Sequence, residues 1–128
     1  MRTQRQPIVK EEIVANVWIH TMKFEKSGDY KLGHKHNFSH AHLVGSGSVE
    51  VFEMKYEDGL QSGERSSIGT FKQGDVFLVP ADKSHTVVAL EDDTFAVCIQ
   101  AVRDTETGDI VSVFCDGSDW EQPTETLL

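Results

Sequence analysis

Short runs of β-branched, aromatic and aliphatic residues, separated by turn residues, set the hydrophobic pattern along this chain. Within several runs apolar and polar positions alternate, which is the two-residue period of a strand with one buried face. The predicted strands are 13–24, 34–44, 48–56, 67–72, 76–79, 85–90, 94–102 and 110–115. No long segment keeps apolar spacing near 3.6 residues, so the pattern predicts an all-β domain, a small sandwich or barrel.

Turn-forming residues mark the ends of most of these strands. Glycine, aspartate and serine cluster at 27–29, 45–47, 58–59, 73–75 and 107–109, and these residues favour turns. A polar, Ser/Gly-rich loop is expected from residue 59 to about Ser66. The pattern divides the chain into an N-terminal arm (1–12), a β-barrel domain (13–115) and a C-terminal tail (116–128).

Length and charge narrow the class of protein. A chain of 128 residues is long enough for one hydrophobic core and too short for two. The formal net charge of −9, with scattered basic residues, gives no electrostatic reason to expect nucleic acid or a membrane as a partner. The N-terminal stretch lacks the apolar region of a secretory signal, so a cytoplasmic location is predicted. Cys98 and Cys115 are the only cysteines and are interpreted as small core residues.

The histidines are concentrated in one short segment. The stretch GHKHNFSHAHLVGSG contains His34, His36, His40 and His42, four of the six histidines of the chain. Residues two apart on a strand share a face, so these imidazoles are predicted to point to one side of the sheet. Several imidazoles without partners in an interior are costly, and binding of Zn, Cu, Fe or Ni is a common solution. The spacing therefore predicts a metal site.

Two motifs in this chain resemble those of the cupin superfamily, whose members are jelly-roll-type β-barrels that bind a metal between two hairpins. The first runs from Gly28 through five residues to His34-Lys35-His36, then three residues to His40 and six more to Gly47. The second runs from Gly74 through five residues to Pro80-Ala81-Asp82, then two residues to His85 and three more to Ala89. Both spacings match the cupin motifs, and the resemblance implies a cupin fold.

The resemblance also implies a ligand set. Carried over position by position, the metal ligands are His34, His36, His40 and His85. His40 stands where cupins usually have glutamate, which is the pattern of four-histidine cupins. Four neutral imidazoles offset none of the charge of a dication, so the site should attract anionic ligands. One divalent transition metal per chain is expected, and Fe, Mn, Ni, Cu and Zn all remain open.

Other residues were assigned from strand parity and position. His42 is predicted to lie beside the metal, as an acid, base or substrate-binding group, although packing in the interior is an equal alternative. Tyr30, just before the first ligands, is a candidate for the mouth of the pocket. His20 is interpreted as a packed histidine. Cys98 and Gln100 share a face on one strand, and packing is the favoured interpretation for both.

Three functions remain in view. The first is a metal-dependent oxygenase or dioxygenase acting on a small organic molecule. The second is a non-redox isomerase or lyase on a substrate resembling a sugar acid, with His42 or Tyr30 as acid or base. The third is a non-catalytic module that binds or senses a small molecule. The resemblance also implies a homodimer, for which the strand at 13–24 is the predicted pairing edge.

Overall fold

A computed structural model describes residues 5–32, 40–57, 60–80, 84–102 and 106–107. Nine strands and no helix occur in these ranges, which confirms the all-β prediction. The strands are β1 (Ile8–Val14), β2 (Val17–Phe24), β3 (Tyr30–Lys31), β4 (His40–Ser46), β5 (Ser48–Glu57), β6 (Leu60–Lys72), β7 (Val76–Val79), β8 (His85–Ala89) and β9 (Thr94–Ala101). In the part of the chain described, no helix is long and apolar enough to cross a membrane.

The strands form two antiparallel sheets. The five-stranded sheet has the order β1-β2-β9-β4-β7, and the four-stranded sheet has the order β3-β8-β5-β6. Neighbouring strands in space are mostly distant in sequence, so the chain crosses repeatedly between the sheets. In the described residues the two sheets are not joined into a closed barrel, and the predicted all-β fold class is confirmed.

One hydrophobic core lies on the inward faces of both sheets. Period-two alternation explains its membership, because alternate residues of β2, β4 and β9 are buried while their neighbours are partly exposed. The buried cluster comprises Ile13, Trp18, Met22, Phe24, Val44, Val49, Val51, Phe77, Val79, Val87, Ala89, Ala96, Cys98 and Val102. Four buried histidines, described below, are placed among these apolar side chains.

The predicted strand 13–24 is two strands joined by a tight hairpin. Val14 pairs with Val17, and Ala15 takes a positive φ of 53° in the turn between them. Alanine disfavours that conformation, and the Ala15-Asn16 turn lacks the glycine that usually marks a two-residue hairpin. Strand β1 begins at Ile8 and therefore extends into the segment predicted as an arm.

Strand β6 covers most of the segment predicted as a polar loop. It pairs with β5 through contacts such as Phe52 opposite Ser67 and Met54 opposite Arg65. As an edge strand it leaves residues 64–68 exposed, so it needs no apolar alternation. The guanidinium of Arg65 lies 4.0 Å from the ring centroid of Phe52, a cation–π contact across the pair.

Several predictions fall outside the described residues. These are the first part of the strand at 34–44, with His34 and His36, and the strand at 110–115 with Cys115. The turn residue Asp82 of the second motif also lies outside them. The strands predicted at 48–56, 76–79, 85–90 and 94–102 are each found within two residues of their predicted ends.

Candidate metal centre

Strand β4 directs two imidazoles into the core. Its buried residues are His40, His42 and Val44, and the residues between them are only partly buried. The side chains of His40 and His42 therefore lie on the inward face, as the even spacing of the histidines predicted. Their ring centroids are 4.8 Å apart, and the residues are 6% and 5% exposed.

His42 lies between a thiol and an aromatic ring. Strand β4 has β9 on one side and β7 on the other, so His42 is directly opposite both Cys98 and Phe77. The Sγ atom of Cys98 lies 3.2 Å from Nε2 and 3.4 Å from Nδ1 of His42. The ring of Phe77 stacks on His42 at 4.8 Å between centroids and also stacks on Phe71 at 4.3 Å. The imidazole is thus fixed in place by its neighbours.

Three potential metal ligands meet at this point. The donor atoms of His40, His42 and Cys98 all lie within 4.8 Å of one another, and all three residues are buried. Ligand atoms around a tetrahedral zinc ion are separated by about 3.3–3.6 Å, given bond lengths of roughly 2.0–2.3 Å. The three donors are therefore close to the spacing that a metal ion requires. Within the described ranges no other group of three such donors meets the same distance limit.

Burial controls the protonation of the thiol. Burial raises the pKa of the Cys98 thiol, and this is the largest effect. The positive charge of Lys31 lowers the pKa, and the negative charge of Glu11 raises it. Cys98 is therefore a neutral thiol at physiological pH in the metal-free chain. A bound cation would have to displace the thiol proton before sulfur could coordinate it.

His85 enters the same interior from the other sheet. It is the first residue of β8, it is buried, and it shares a face with the core residues Val87 and Ala89. Glu53 of β5 lies directly opposite His85 in the ladder. His40 and His85 thus face the core from opposite sheets, whereas their predicted co-ligands His34 and His36 lie outside the described residues.

Tyr30 is not brought onto the inward face. It pairs with Val88, whereas Lys31 pairs with the core residue Val87, and paired residues point to the same side of a sheet. Tyr30 is half-buried, and its backbone N–H donates to the carbonyl of Arg5 at 3.1 Å. The neighbouring Lys31, for which the sequence predicted no role, has the inward parity.

A second polar pair lies in the same row of side chains. His20 of β2 is opposite Cys98 on one side and Glu11 of β1 on the other. Its Nδ1 is 3.2 Å from Oε1 of Glu11, and its ring lies 5.6 Å from that of Trp18. Burial raises the pKa of the Glu11 carboxyl. A hydrogen bond from Trp18 and the positive charge of Lys31 both lower the pKa, but the effect of burial is larger. This pair is not predicted from the sequence, because Glu11 lies in the segment predicted as an N-terminal arm.

Solved structures with the same arrangement of sheets identify the fold. KdgF from Halomonas sp. superposes with a TM-score of 0.54 at 23% identity, over 77% of this chain and 80% of that one. A cupin superfamily protein from Desulfitobacterium hafniense gives 0.55 at 17% identity, over 79% and 82% of the two chains. Oxalate oxidase in complex with the substrate analogue glycolate gives 0.60 at 18% identity, over 88% of this chain and 56% of that one.

The chain has a cupin fold. This confirms the expectation drawn from its two sequence motifs. No protein-family profile and no curated protein sequence matches the chain. At identities below 25% the cupin neighbours establish the fold, and the chemistry has to be argued from the buried histidines themselves.

Proposed function

We propose that this cupin-fold chain is a metal-dependent oxygenase or dioxygenase that acts on a small organic molecule. One divalent transition metal is held by His34, His36, His40 and His85. The observation that most supports this proposal is the burial of His40 and His85 on facing sheets of one core. Neutral imidazoles that face one interior are common ligands of divalent transition metals, so this placement supports metal binding.

The charge of the ligand set favours an anionic substrate. Four neutral imidazoles leave a bound dication uncompensated, so a carboxylate or enolate is attracted to it. The similarity to a structure of oxalate oxidase with glycolate agrees with a small carboxylate as substrate. When bound, the metal would supply Lewis acidity and an electron path between substrate and O₂.

The protein itself supplies ligands, apolar neighbours and a proton acceptor. Phe77 stacks on His42, and Phe71 stacks on Phe77, so aromatic rings cover one side of the His42 imidazole. Val79 and Val87 are buried on the two sheets and add apolar walls. Because His42 is held next to His40, it is placed to accept or return a substrate proton while the other histidines hold the metal.

The position of His42 also supports a second candidate function. A buried imidazole beside a Lewis acid is sufficient for proton transfer next to a carbonyl group, which needs no oxidant. On this alternative the protein is a non-redox isomerase or lyase on a substrate resembling a sugar acid. The distinction is experimental, because the two classes use the same histidines.

The test is turnover with and without O₂. Protein loaded separately with Fe, Mn, Ni, Cu or Zn is incubated with oxalate, glycolate, simple diketones, phenols and uronic acids. Substrate-dependent O₂ consumption supports the oxygenase, and anaerobic turnover of a uronic acid supports the alternative. Stabilisation by a compound without turnover indicates a binding module.

A matched pair of variants connects any activity to the site. His85→Ala removes a proposed ligand, whereas Thr86→Ala changes the next buried residue of β8, whose Oγ1 has no hydrogen-bond partner among the described residues. Activity should be abolished in the first variant and retained in the second. Equal activity in both variants contradicts the proposed ligand set.

A further inference from the structure

The contact between His42 and Cys98 is not used by the proposed four-histidine centre. Cys98 is directly opposite His42 in the β4–β9 ladder, and its Sγ lies 3.2 Å from Nε2 of that ring. His40 lies two residues before His42 on β4, and the centroids of the two rings are 4.8 Å apart. The three residues are therefore contiguous, and each is buried.

The composition of this cluster differs from that of an all-imidazole site. Thiolate sulfur is a soft ligand that prefers zinc, copper(I) and related ions, whereas imidazole accepts most divalent transition metals. Two nitrogens and one sulfur leave a fourth position around a tetrahedral ion, which water can fill. The chain has two cysteines, and the structure places Cys98 beside the histidines.

We propose that His42 and Cys98, together with His40, form a second ligand set that binds a thiophilic divalent ion such as Zn²⁺ or Co²⁺ through the sulfur of Cys98. This inference rests on the proposed function in one respect, because His40 belongs to both ligand sets. The two sets compete for His40, so the identity of the ion selects which set is used.

The competition has a consequence for activity. An ion with little affinity for sulfur, such as Mn²⁺, takes the four imidazoles and leaves Cys98 as a thiol. Zn²⁺ takes His40 into the sulfur-containing set and deprives the four-histidine centre of one of its four ligands. On binding, a metal–sulfur bond replaces the S–H bond of Cys98 and the proton passes to the solvent. Zinc is then an inhibitor of the centre rather than a substitute for its metal.

The experiment uses Co²⁺ as a spectroscopic probe of the tag-free full chain. Coordination by thiolate gives a sulfur-to-cobalt charge-transfer band in the near ultraviolet, which imidazole ligands do not give. We expect the band in the wild type and in Cys115→Ser, and its loss in Cys98→Ser. Removal of the thiolate should weaken Zn²⁺ binding at least about 10–100-fold, the effect of losing even an outer-shell partner.

The outcomes separate this inference from the proposed function. Co²⁺ binding without the charge-transfer band overturns the sulfur-containing set and leaves the four-histidine centre standing. A band that persists in Cys98→Ser and disappears in Cys115→Ser also overturns it. A band that survives in His85→Ala shows that the set is independent of the four-histidine centre. If Cys98→Ser does not fold, the wild-type and Cys115→Ser spectra still decide.

Discussion

Glu11 and His20 form a partly buried acid–base pair on neighbouring strands, with Oε1 of the carboxylate 3.2 Å from Nδ1 of the imidazole. An ionised carboxylate only accepts, so Nδ1–H of His20 is the donor when Glu11 is charged. The side chain of Glu11 remains 26% exposed, and that of His20 is 9% exposed. The pair connects the edge of the five-stranded sheet with Cys98 and His42, since all four occupy one row across the strands.

The raised pKa of Glu11 predicts a pH dependence of stability. A carboxyl group whose pKa is higher in the folded chain than in the unfolded chain binds its proton more tightly when folded. Its contribution is present below the ordinary value of 4.5 and is lost as the pH rises through the folded pKa. In Glu11→Gln residue 11 is neutral at every pH. The free energy of unfolding of this variant, relative to that of the wild type, should therefore increase as the pH rises from 4.5 through the folded pKa of Glu11.

The measurement is the free energy of unfolding in urea as a function of pH. Glu12→Gln is the control, because Glu12 follows on the same strand, has the opposite parity and pairs with Lys10. Because Glu11 is unchanged in Glu12→Gln, this variant should show the wild-type decrease of the unfolding free energy with rising pH that Glu11 causes. Identical slopes for Glu11→Gln and the wild type would show that burial does not affect the Glu11 carboxyl.

Phe24 is predicted to be a major contributor to stability. Its side chain is fully buried at the end of β2, so Phe24→Ala should lower the free energy of unfolding by about 3–5 kcal/mol. The control is Leu78→Ala on β7, where the side chain is 61% exposed and the effect should be within about 0.5 kcal/mol. Urea unfolding of both variants checks the prediction, and similar losses would contradict the inward assignment of Phe24.

Alanine substitutions at Gly47 and Gly74 allow the cost of backbone strain to be distinguished from the cost of a steric clash. Both have positive φ values, of 72° and 91°, in which an alanine costs about 1–2 kcal/mol. A Cβ at Gly47 would also lie 3.0 Å from Cα of Thr94, whereas at Gly74 it would meet nothing within 4 Å. Gly47→Ala should therefore destabilise more than Gly74→Ala in thermal unfolding. The reverse order would contradict the packing of the β4–β5 turn against β9.

Removal of a metal bound by the proposed ligands should lower the stability of the folded chain. An ion that binds only the folded chain stabilises it by about 2.7 kcal/mol at one hundred times its dissociation constant. Excess chelator should therefore lower the melting temperature of metal-loaded wild type, and it should have no effect on His40→Ala. A melting temperature that is independent of chelator in the loaded wild type contradicts a metal bound to the native state.

The sequence predicted the strands in which apolar and polar residues alternate. It also predicted which histidines lie on the same face of a strand. His40, His42 and His85 lie inward as their parity and motif spacing indicated. The part of β6 up to Ser66 is predicted from the sequence as a loop, because an edge strand exposed to solvent carries little apolar pattern, whereas the part at 67–72 is predicted as a strand. The hairpin at Ala15 was missed because neither turn residue is a glycine.

The alternation of buried and exposed positions does not predict which residues are neighbours on adjacent strands. Cys98 was known to share a face with Gln100, but its position opposite His42 depends on which strands are adjacent. The same holds for Glu11, His20 and Cys98, which come from three strands. Parity gives the face of each residue, whereas the strand order and register, set by the whole chain, decide which side chains meet.

The most direct test of the proposed metal centre is elemental analysis of protein purified without a histidine tag or added metal. Wild type, His40→Ala and His20→Ala are compared, the last as a buried imidazole outside both proposed ligand sets. The account predicts near-stoichiometric transition metal in the wild type and in His20→Ala, with strong depletion in His40→Ala. Equal metal in all three proteins, or none in the wild type after reloading with each ion, would contradict it.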